Sequence, residues 1–598
     1  MSLTRPLMGV VSLLALVACQ PTQPTESETA PSETAETETA PDAQAAWPHG
    51  AMVAAADPRA VEAGLAVLRE GGHAVDAAIA VHAVLGLVEP ESSGLGGGAF
   101  MVVYDRARDE TVVYDGRETA PSGIDENVFM EDGAPLNFIQ AWQSGHSTGA
   151  PGAVALYGAA HAAHGEVAWS RLFEDAIEHA ETGFSIGPKL AAAINSERLR
   201  QYIRLDEHPV SAAYFYPEGT PLQEGDMRDN PDYAETLRLI AAEGPGAFYR
   251  DVIPLAIAAA VAEEPRPGLL SAEDISAYEV KIRPALCGAW RDYKICSAPP
   301  PSSGGVTQNM IATLYDELRQ GGEETEEAYL QAFVDAQRLA YADRDHYVAD
   351  ADFVQVPALE LINPDYLKVR ATERFEPAAK PTPGDPGEVL GMGSMIGMWG
   401  QDPTVDVPGT THLSVIDSAG NAVAMTATIE AAFGNSRMVN GFLLNNELTD
   451  FAFEPTKSGL PVANAPAPLK RPRSSMSPTI IFDADGEVKL VTGSPGGNSI
   501  VAYTAKTIVG TLDWGKTPQE AIDLPNIVAR GERVNVEVDR PGGPETAEAL
   551  REMGYTVRER RGENSGLHTI LVTESGLQGG ADPRRDGIAK ALEKTETD

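Results

Sequence analysis

Cysteine is scarce in this chain: three residues in 598, at positions 19, 287 and 296. Cys287 and Cys296 share one short stretch without a neighbouring histidine, which makes a poor metal site. Basic residues are also few. Lys and Arg number 45 against 87 Asp and Glu, a formal net charge of -42, which argues against nucleic acid or an anionic membrane surface as a partner. One common hydrolase signature is missing: the chain has no H-E-x-x-H helix. The rest is the composition of a globular protein, 43% hydrophobic and 22% charged, and length alone suggests about two to four domains.

The N-terminus reads as an export signal. Residues 1–19, "MSLTRPLMGVVSLLALVAC", carry Arg5, an apolar run from Leu7 to Val17, and small Ala18 before Cys19. The ending "LVAC" resembles a bacterial lipobox, which implies that Cys19 becomes a lipidated first residue. Lipid there would tether the protein without a transmembrane helix; an ordinary signal peptide with a chance cysteine is the alternative. Residues 20–48 contain no Lys or Arg and almost no large apolar side chain. Such a stretch cannot bury enough surface to offset its ordering entropy, so it is expected to be a disordered, acidic, self-repelling tether. The expected location is periplasmic, membrane-anchored through lipid. In an exported protein Cys287 and Cys296, on two strand-like runs around a turn in "ALCGAWRDYKICSA", are expected to form a structural disulfide.

The globular part opens with two helices. Asp57 suits an N-cap, Pro58 the first helical position, and Gly71-Gly72 the end of the first helix. A second, nearly all-apolar helix to about Val88 should be buried. "GGGAFMVVYD" and "DETVVYD" then predict a hairpin, followed by a mainly helical region from about Val154 to Tyr341. From Thr410 onward strand patterns dominate, and helices return in "IVAYTAKTIVGTL" and "TAEALREMG". Between the halves, residues 380–409 are rich in Gly, Pro and Met without periodicity and read as a long exposed loop.

Several motifs lose on context. Gly94, Gly96 and Ala99 have a G-x-G-x-x-A spacing, but a helix precedes them and a strand follows, the reverse of a dinucleotide fingerprint. His161 and His164 lack a third ligand, and Asp483 to Glu487 reads as a turn between strands.

The stretch "DVPGTTHLSVID", Asp406 to Asp417, sets two threonines at the head of a strand directly behind a Pro-Gly turn. A threonine is a weak nucleophile unless a base lies within reach. A cut between Gly409 and Thr410 would give Thr410 a free α-amine of its own, which is the N-terminal threonine solution. In "DSAGN", a three-residue hairpin loop with Gly420 left-handed sets Thr410 opposite Thr428. Directly opposed Cβ atoms lie roughly 5 Å apart, within reach of a hydroxyl contact. Two threonines filling a β-pair is the plain alternative.

Longer stretches shift that balance. "TTHLSVIDSAGNAVAMTATIEAAFG", "LLNNELTDF", "KRPRSSMSPT" and "TGSPGG" resemble the small subunit of the γ-glutamyltransferase family. "ESSGLGGGAFM", "YDGRETAP" and "PPPSSGG" resemble the large one, in the right order. The resemblance implies an α+β chain with the N-terminal-nucleophile hydrolase αββα four-layer sandwich. It also implies a precursor that cuts itself into a large subunit, 49–409, and a small catalytic subunit, 410–598.

By motif position it makes Thr410 the nucleophile, Thr428 its hydroxyl partner, and Arg117 the anchor of a substrate α-carboxylate, assisted by Ser474 and Ser475. Glu447 and Asp450 would hold the α-ammonium, and Gly496 and Gly497 would supply oxyanion-hole N–H groups. No metal or cofactor is implied. The partners are small γ-glutamyl substrates such as glutathione, and the two subunits of one precursor.

One position departs from the pattern. Where the family commonly has Asn, this chain has Glu430, which would add a third carboxylate beside one ammonium. Arg437 is the candidate to neutralise it. Otherwise the preferred acyl group is not plain γ-glutamyl. The segment from Asp450 to Ser474, a lid in some members, lacks Tyr. The rival readings are an acylase of the same fold acting on another amide, such as a glutaryl one, and an uncleaved binding lipoprotein.

Overall fold

A computed structural model describes residues 47–593 except 265, 323, 403 and 405–408. The signal segment, Cys19, nearly all of the tether and the residues just before Gly409 therefore lie outside the described residues. The described residues form one compact unit. The length-based expectation of several domains is corrected, because the two halves of the chain share their sheets.

The first sheet holds seven strands. In chain order these are β1 (Met52–Ala55), β2 (Gly98–Asp105), β3 (Glu110–Gly116), β4 (Lys281–Pro284), β7 (Thr410–Ile416), β8 (Ala422–Thr428) and β13 (Ile588–Ala591). Their spatial order is β13-β1-β7-β8-β2-β3-β4. The second sheet has β5 (Leu286–Trp290), β6 (Tyr293–Ser297), β9 (Thr479–Phe482), β10 (Val488–Thr492), β11 (His568–Thr573) and β12 (Gly576–Ala581), in the order β12-β11-β10-β9-β6-β5. Strands from before and after Thr410 thus share each sheet, and in the first they interleave.

The layers follow from strand periodicity. On β2, Ala99, Met101 and Val103 face a helical layer, while Phe100, Val102 and Tyr104 face the other sheet. Of the second sheet, Ile480 and Phe482 point inward, and Ile481 and Leu490 point to the opposite helical layer. Both faces are buried, so these strands read as continuous apolar runs. The outer layers include α1 (Pro58–Arg69), α2 (Ala74–Val88) and α3 (Ala153–His164) on one side. On the other are α4 (Gly304–Arg319), α5 (Glu326–Tyr347) and α6 (Ile500–Leu512). The expected αββα sandwich is present.

Local readings hold where turn chemistry is strong. Asp57 caps α1, and every residue of α2 is buried. Cys287 and Cys296 are directly opposed on β5 and β6 and form a disulfide, with Cα atoms 4.1 Å apart. The stretch from 380 is less open than expected at its far end. The Gly400 amide donates to Pro461 O at 2.8 Å, and buried Asp402 pairs with Arg473 at 2.8 Å. No helix among the described residues is long and apolar enough to cross a membrane.

Candidate active site

The β7–β8 register pairs Thr410 with Thr428, through a loop in which Gly420 is left-handed at φ +87°. Even-numbered residues of both strands face the space between the sheets, so both hydroxyls enter it at its open end. Thr410 Oγ1 donates to Thr428 Oγ1 at 3.3 Å. Thr428 Oγ1 also accepts from the Glu430 amide at 2.8 Å and donates to the Gly409 carbonyl at 3.0 Å. With both acceptor sites used, the hydroxyl proton of Thr428 is aimed at the carbonyl of the bond expected to be cut.

That bond sits where no side chain fits. A Cβ at Gly409 would lie 2.2 Å from Glu430 O and 2.4 Å from the carbonyl carbon of Ala431. The glycine run after α2 has a similar cause: a Cβ at Gly97 would lie 2.0 Å from Thr428 O.

A narrow cleft of about 20 Å³ is lined by Arg117, Thr410, Thr428, Glu430, Glu447, Asp450, Ser474, Ser475, Met476, Gly497 and Ile500. The structure brings together nearly all the residues singled out from sequence. Gly496 lies beside Gly497 at the turn into α6, with φ of +137° and +56°, and Gly497 and Ile500 line the cleft at that turn.

Arg117 follows β3 and is almost fully buried. Its Nε donates to Pro472 O at 3.2 Å, and Nη2 donates to Arg473 O at 2.8 Å and to Asp450 at 2.5 Å; Nη1 pairs with Glu447. The separate roles expected for the cation and the two anions are here one closed ion cluster. Its charge balance involves a residue the motif reading passed over. Glu118, fully buried, lies 3.9 Å from Arg117 Nη1. Burial pushes its carboxyl up to about 7 despite Arg117, and pushes Glu447 well above the usual carboxylate range. Burial acts against the Arg117 charge too, but Glu447, Asp450 and Glu118 outweigh it and hold the guanidinium firmly protonated. Only the adjacent letter in "DGRE" marked Glu118 in the sequence.

Glu430 lines the cleft in a left-handed conformation, φ +75°. Its carboxylate accepts from Asn446 Nδ2, while Asn446 Oδ1 takes the Ala431 amide at 2.9 Å. The pairing with Arg437 is corrected: that guanidinium donates to Gln143 O and Glu263 O, each at 3.2 Å. Residues Phe433, Gly434 and Ser436 have positive φ and turn the chain away between the two.

Odd-numbered Thr411 faces the helical layer and donates to Glu89 at 2.8 Å. Burial would raise the Glu89 carboxyl, but Lys189 and Arg585 hold it at about 2. His412, on the same face as Thr410, bonds Thr426 at 2.8 Å and Ser414 at 3.1 Å; burial and His568 keep it neutral. It orders the strand pair.

The other motifs resolve structurally. His164 meets His73 and Asp105, with ligand-type atoms within 4.8 Å. However, Arg108 occupies Asp105, and His73 Nδ1 accepts the Val75 amide at 3.1 Å as the cap of α2. Asp483 to Glu487 is a turn closed by Asp483 N to Glu487 O at 2.9 Å.

A four-layer sandwich with a threonine heading a central strand beside a lined cleft defines the N-terminal-nucleophile hydrolase class. The cephalosporin acylase of Bacillus halodurans shares the fold at a TM-score of 0.76 and 24% identity, over 94% of this chain and 100% of that one. Within the class, the chain belongs to the γ-glutamyltranspeptidase family, whose profile matches residues 60–592. It is 34% identical over 548 residues to the glutathione hydrolase proenzyme of Escherichia coli K12, covering 89% of this chain and 90% of that protein. To the glutathione hydrolase proenzyme of Bacillus subtilis 168 it is 37% identical over 486 residues, 80% of each.

Proposed function

We propose that the chain is a proenzyme that cleaves itself between Gly409 and Thr410 and then transfers γ-glutamyl groups from amides such as glutathione to water or an amine. The observation that carries this reading is the Thr410–Thr428–Gly409 chain of hydrogen bonds at the mouth of the Arg117 cleft.

In self-cleavage, Thr410 Oγ attacks the Gly409 carbonyl carbon while Thr428 donates to its oxygen. The C–N bond breaks, the Thr410 nitrogen takes a proton, and an ester remains. Water hydrolyses the ester, leaving Gly409 as a carboxylate and Thr410 with a free α-amine. That amine then accepts the Thr410 hydroxyl proton as the oxygen attacks a substrate amide. Gly496 and Gly497 amides stabilise the tetrahedral oxyanion, the leaving amine departs with a proton, and water or an acceptor amine releases the acyl group.

Arg117, Ser474 and Ser475 supply donors for an α-carboxylate, and Glu430, Glu447 and Asp450 supply acceptors for an α-ammonium. This two-sided lining favours a γ-glutamyl head over a glutaryl one, which has no ammonium for those acceptors to take. The test compares turnover of γ-glutamyl-p-nitroanilide with that of glutaryl-p-nitroanilide. Preference for the glutaryl amide overturns the substrate assignment.

Export and lipidation at Cys19 belong to the same proposal. Their support is the N-terminal sequence, together with a Cys287–Cys296 disulfide that suits an oxidising compartment. Fatty-acid labelling that survives Cys19→Ser overturns the anchor.

A further inference from the structure

The end of α5 reaches across to both halves of the cleft. Arg344, its side chain fully buried, sends Nη2 to Ser475 Oγ and Nε to Ser303 Oγ at 3.2 Å. Its Nη1 reaches Asn498 Oδ1 at 3.2 Å and Asp345 at 2.9 Å. Ser303 extends the hold, since its amide and hydroxyl both donate to Ser474 O, at 2.8 and 2.9 Å. One turn earlier on α5, Tyr341 donates its hydroxyl to Asn498 O at 2.5 Å.

One guanidinium therefore touches the serine on the carboxylate side of the cleft and the residue directly after the Gly496-Gly497 turn. Ser474 and Ser475 are otherwise a short irregular segment, and Gly496 and Gly497 are free of side-chain restraint. A planar, five-donor group fixes both at once, and a lysine cannot.

We propose that Arg344 is a positioning residue for the reaction, setting Ser475 for the substrate α-carboxylate and the 496–498 turn for the oxyanion. The inference rests on the γ-glutamyl reading above. Asp345 supports it from behind. Burial would raise this carboxyl, but Arg530 and Arg344 hold it at about 2, and it pairs with Arg530 at 2.8 Å. The clamp joins residues 303 and 341–345, before the cut, to residues 475 and 498, after it. Self-cleavage leaves it as a contact between two chains.

The test is steady-state kinetics on two substrates, γ-glutamyl-p-nitroanilide and its analogue without the α-carboxylate, 4-aminobutyryl-p-nitroanilide. In Arg344→Met, kcat should fall for both, because both need the oxyanion turn. KM should rise roughly ten- to a hundred-fold for the γ-glutamyl amide only, the size of a lost charge-assisted hydrogen bond. In a Ser475→Ala background the same substitution should no longer change KM, because the anchored group is gone.

Equal KM changes for the two substrates, or a full KM effect persisting in Ser475→Ala, overturn the proposal. If Arg344→Met does not yield two fragments, Arg344→Lys is measured in the same cycle. There, wild-type KM and kcat overturn the proposal, and a KM rise confined to the γ-glutamyl amide supports it. Wild-type enzyme inactive on γ-glutamyl-p-nitroanilide would instead overturn the function itself, so the two failures are distinguishable.

Discussion

Thr428 donates its hydroxyl to the carbonyl of Gly409 across 3.0 Å while accepting the hydroxyl of Thr410. The contact polarises the carbonyl that Thr410 attacks. Thr428→Ala removes the donor and should slow self-cleavage on the order of 10²-fold, the usual loss for one oxyanion donor. Thr428→Ser keeps the hydroxyl and should restore most of the rate. Timed denaturing gels check both, and equal rates for Ala and Ser variants would assign Thr428 to packing alone.

Gly409 offers a steric test of the same bond. Backbone atoms of residues 430 and 431 leave no room for a Cβ there, and backbone cannot swing aside as a side-chain tip can. Gly409→Ala should displace the scissile carbonyl and leave most of the chain uncut after wild type has finished. Wild-type processing kinetics would show that the carbonyl need not stay where Thr428 reaches it.

Arg117 should matter for substrate and for stability together. Removing it leaves Glu447 and Asp450 buried beside each other without their cation, which costs about 3–5 kcal/mol when a buried pair is broken. Arg117→Ala should therefore lower both Tm and kcat/KM. Arg117→Lys should recover part of the stability but not the planar set of donors that meets Glu447, Asp450 and the substrate carboxylate together. Full recovery of kcat/KM by lysine would mean that a point charge suffices.

Glu118 gives a pH signature. Its folded pKa is raised from 4.5 to about 7, so the folded state binds the proton more tightly than the unfolded one. The associated stability is present below about pH 4.5 and is lost as pH rises to about 7. It amounts to something on the order of 3 kcal/mol. Glu118→Gln cannot ionise and should flatten that part of the stability curve. Chemical denaturation of both proteins at pH 4.5 and pH 7.5 reads the difference, and parallel curves would remove Glu118 as its source.

Much of the site was legible because local rules set it. "DSAGN" fixes a hairpin loop, the loop fixes register, and register alone places Thr428 opposite Thr410. The disulfide was legible for the same reason. Contacts between distant segments were not. Arg437 looked near Glu430 in sequence, yet the left-handed residues between them turn it toward Gln143 and Glu263. Glu118 and Arg344 carry no periodic or turn signal. Glu118 joins the ion cluster, and Arg344 reaches Ser475, only when segments more than a hundred residues away fold against them. The single compact unit was also invisible to length arguments, since interleaved strands are a property of pairing rather than of composition.

The central claim is that Thr410 becomes the first residue of a new chain and uses its own α-amine as base. N-terminal sequencing of the smaller fragment, from protein active on γ-glutamyl-p-nitroanilide, tests it most directly. The account predicts a sequence beginning Thr-Thr-His-Leu-Ser, from Thr410 onward. A fragment starting at any other residue, or full activity in a chain that was never cut, would contradict it.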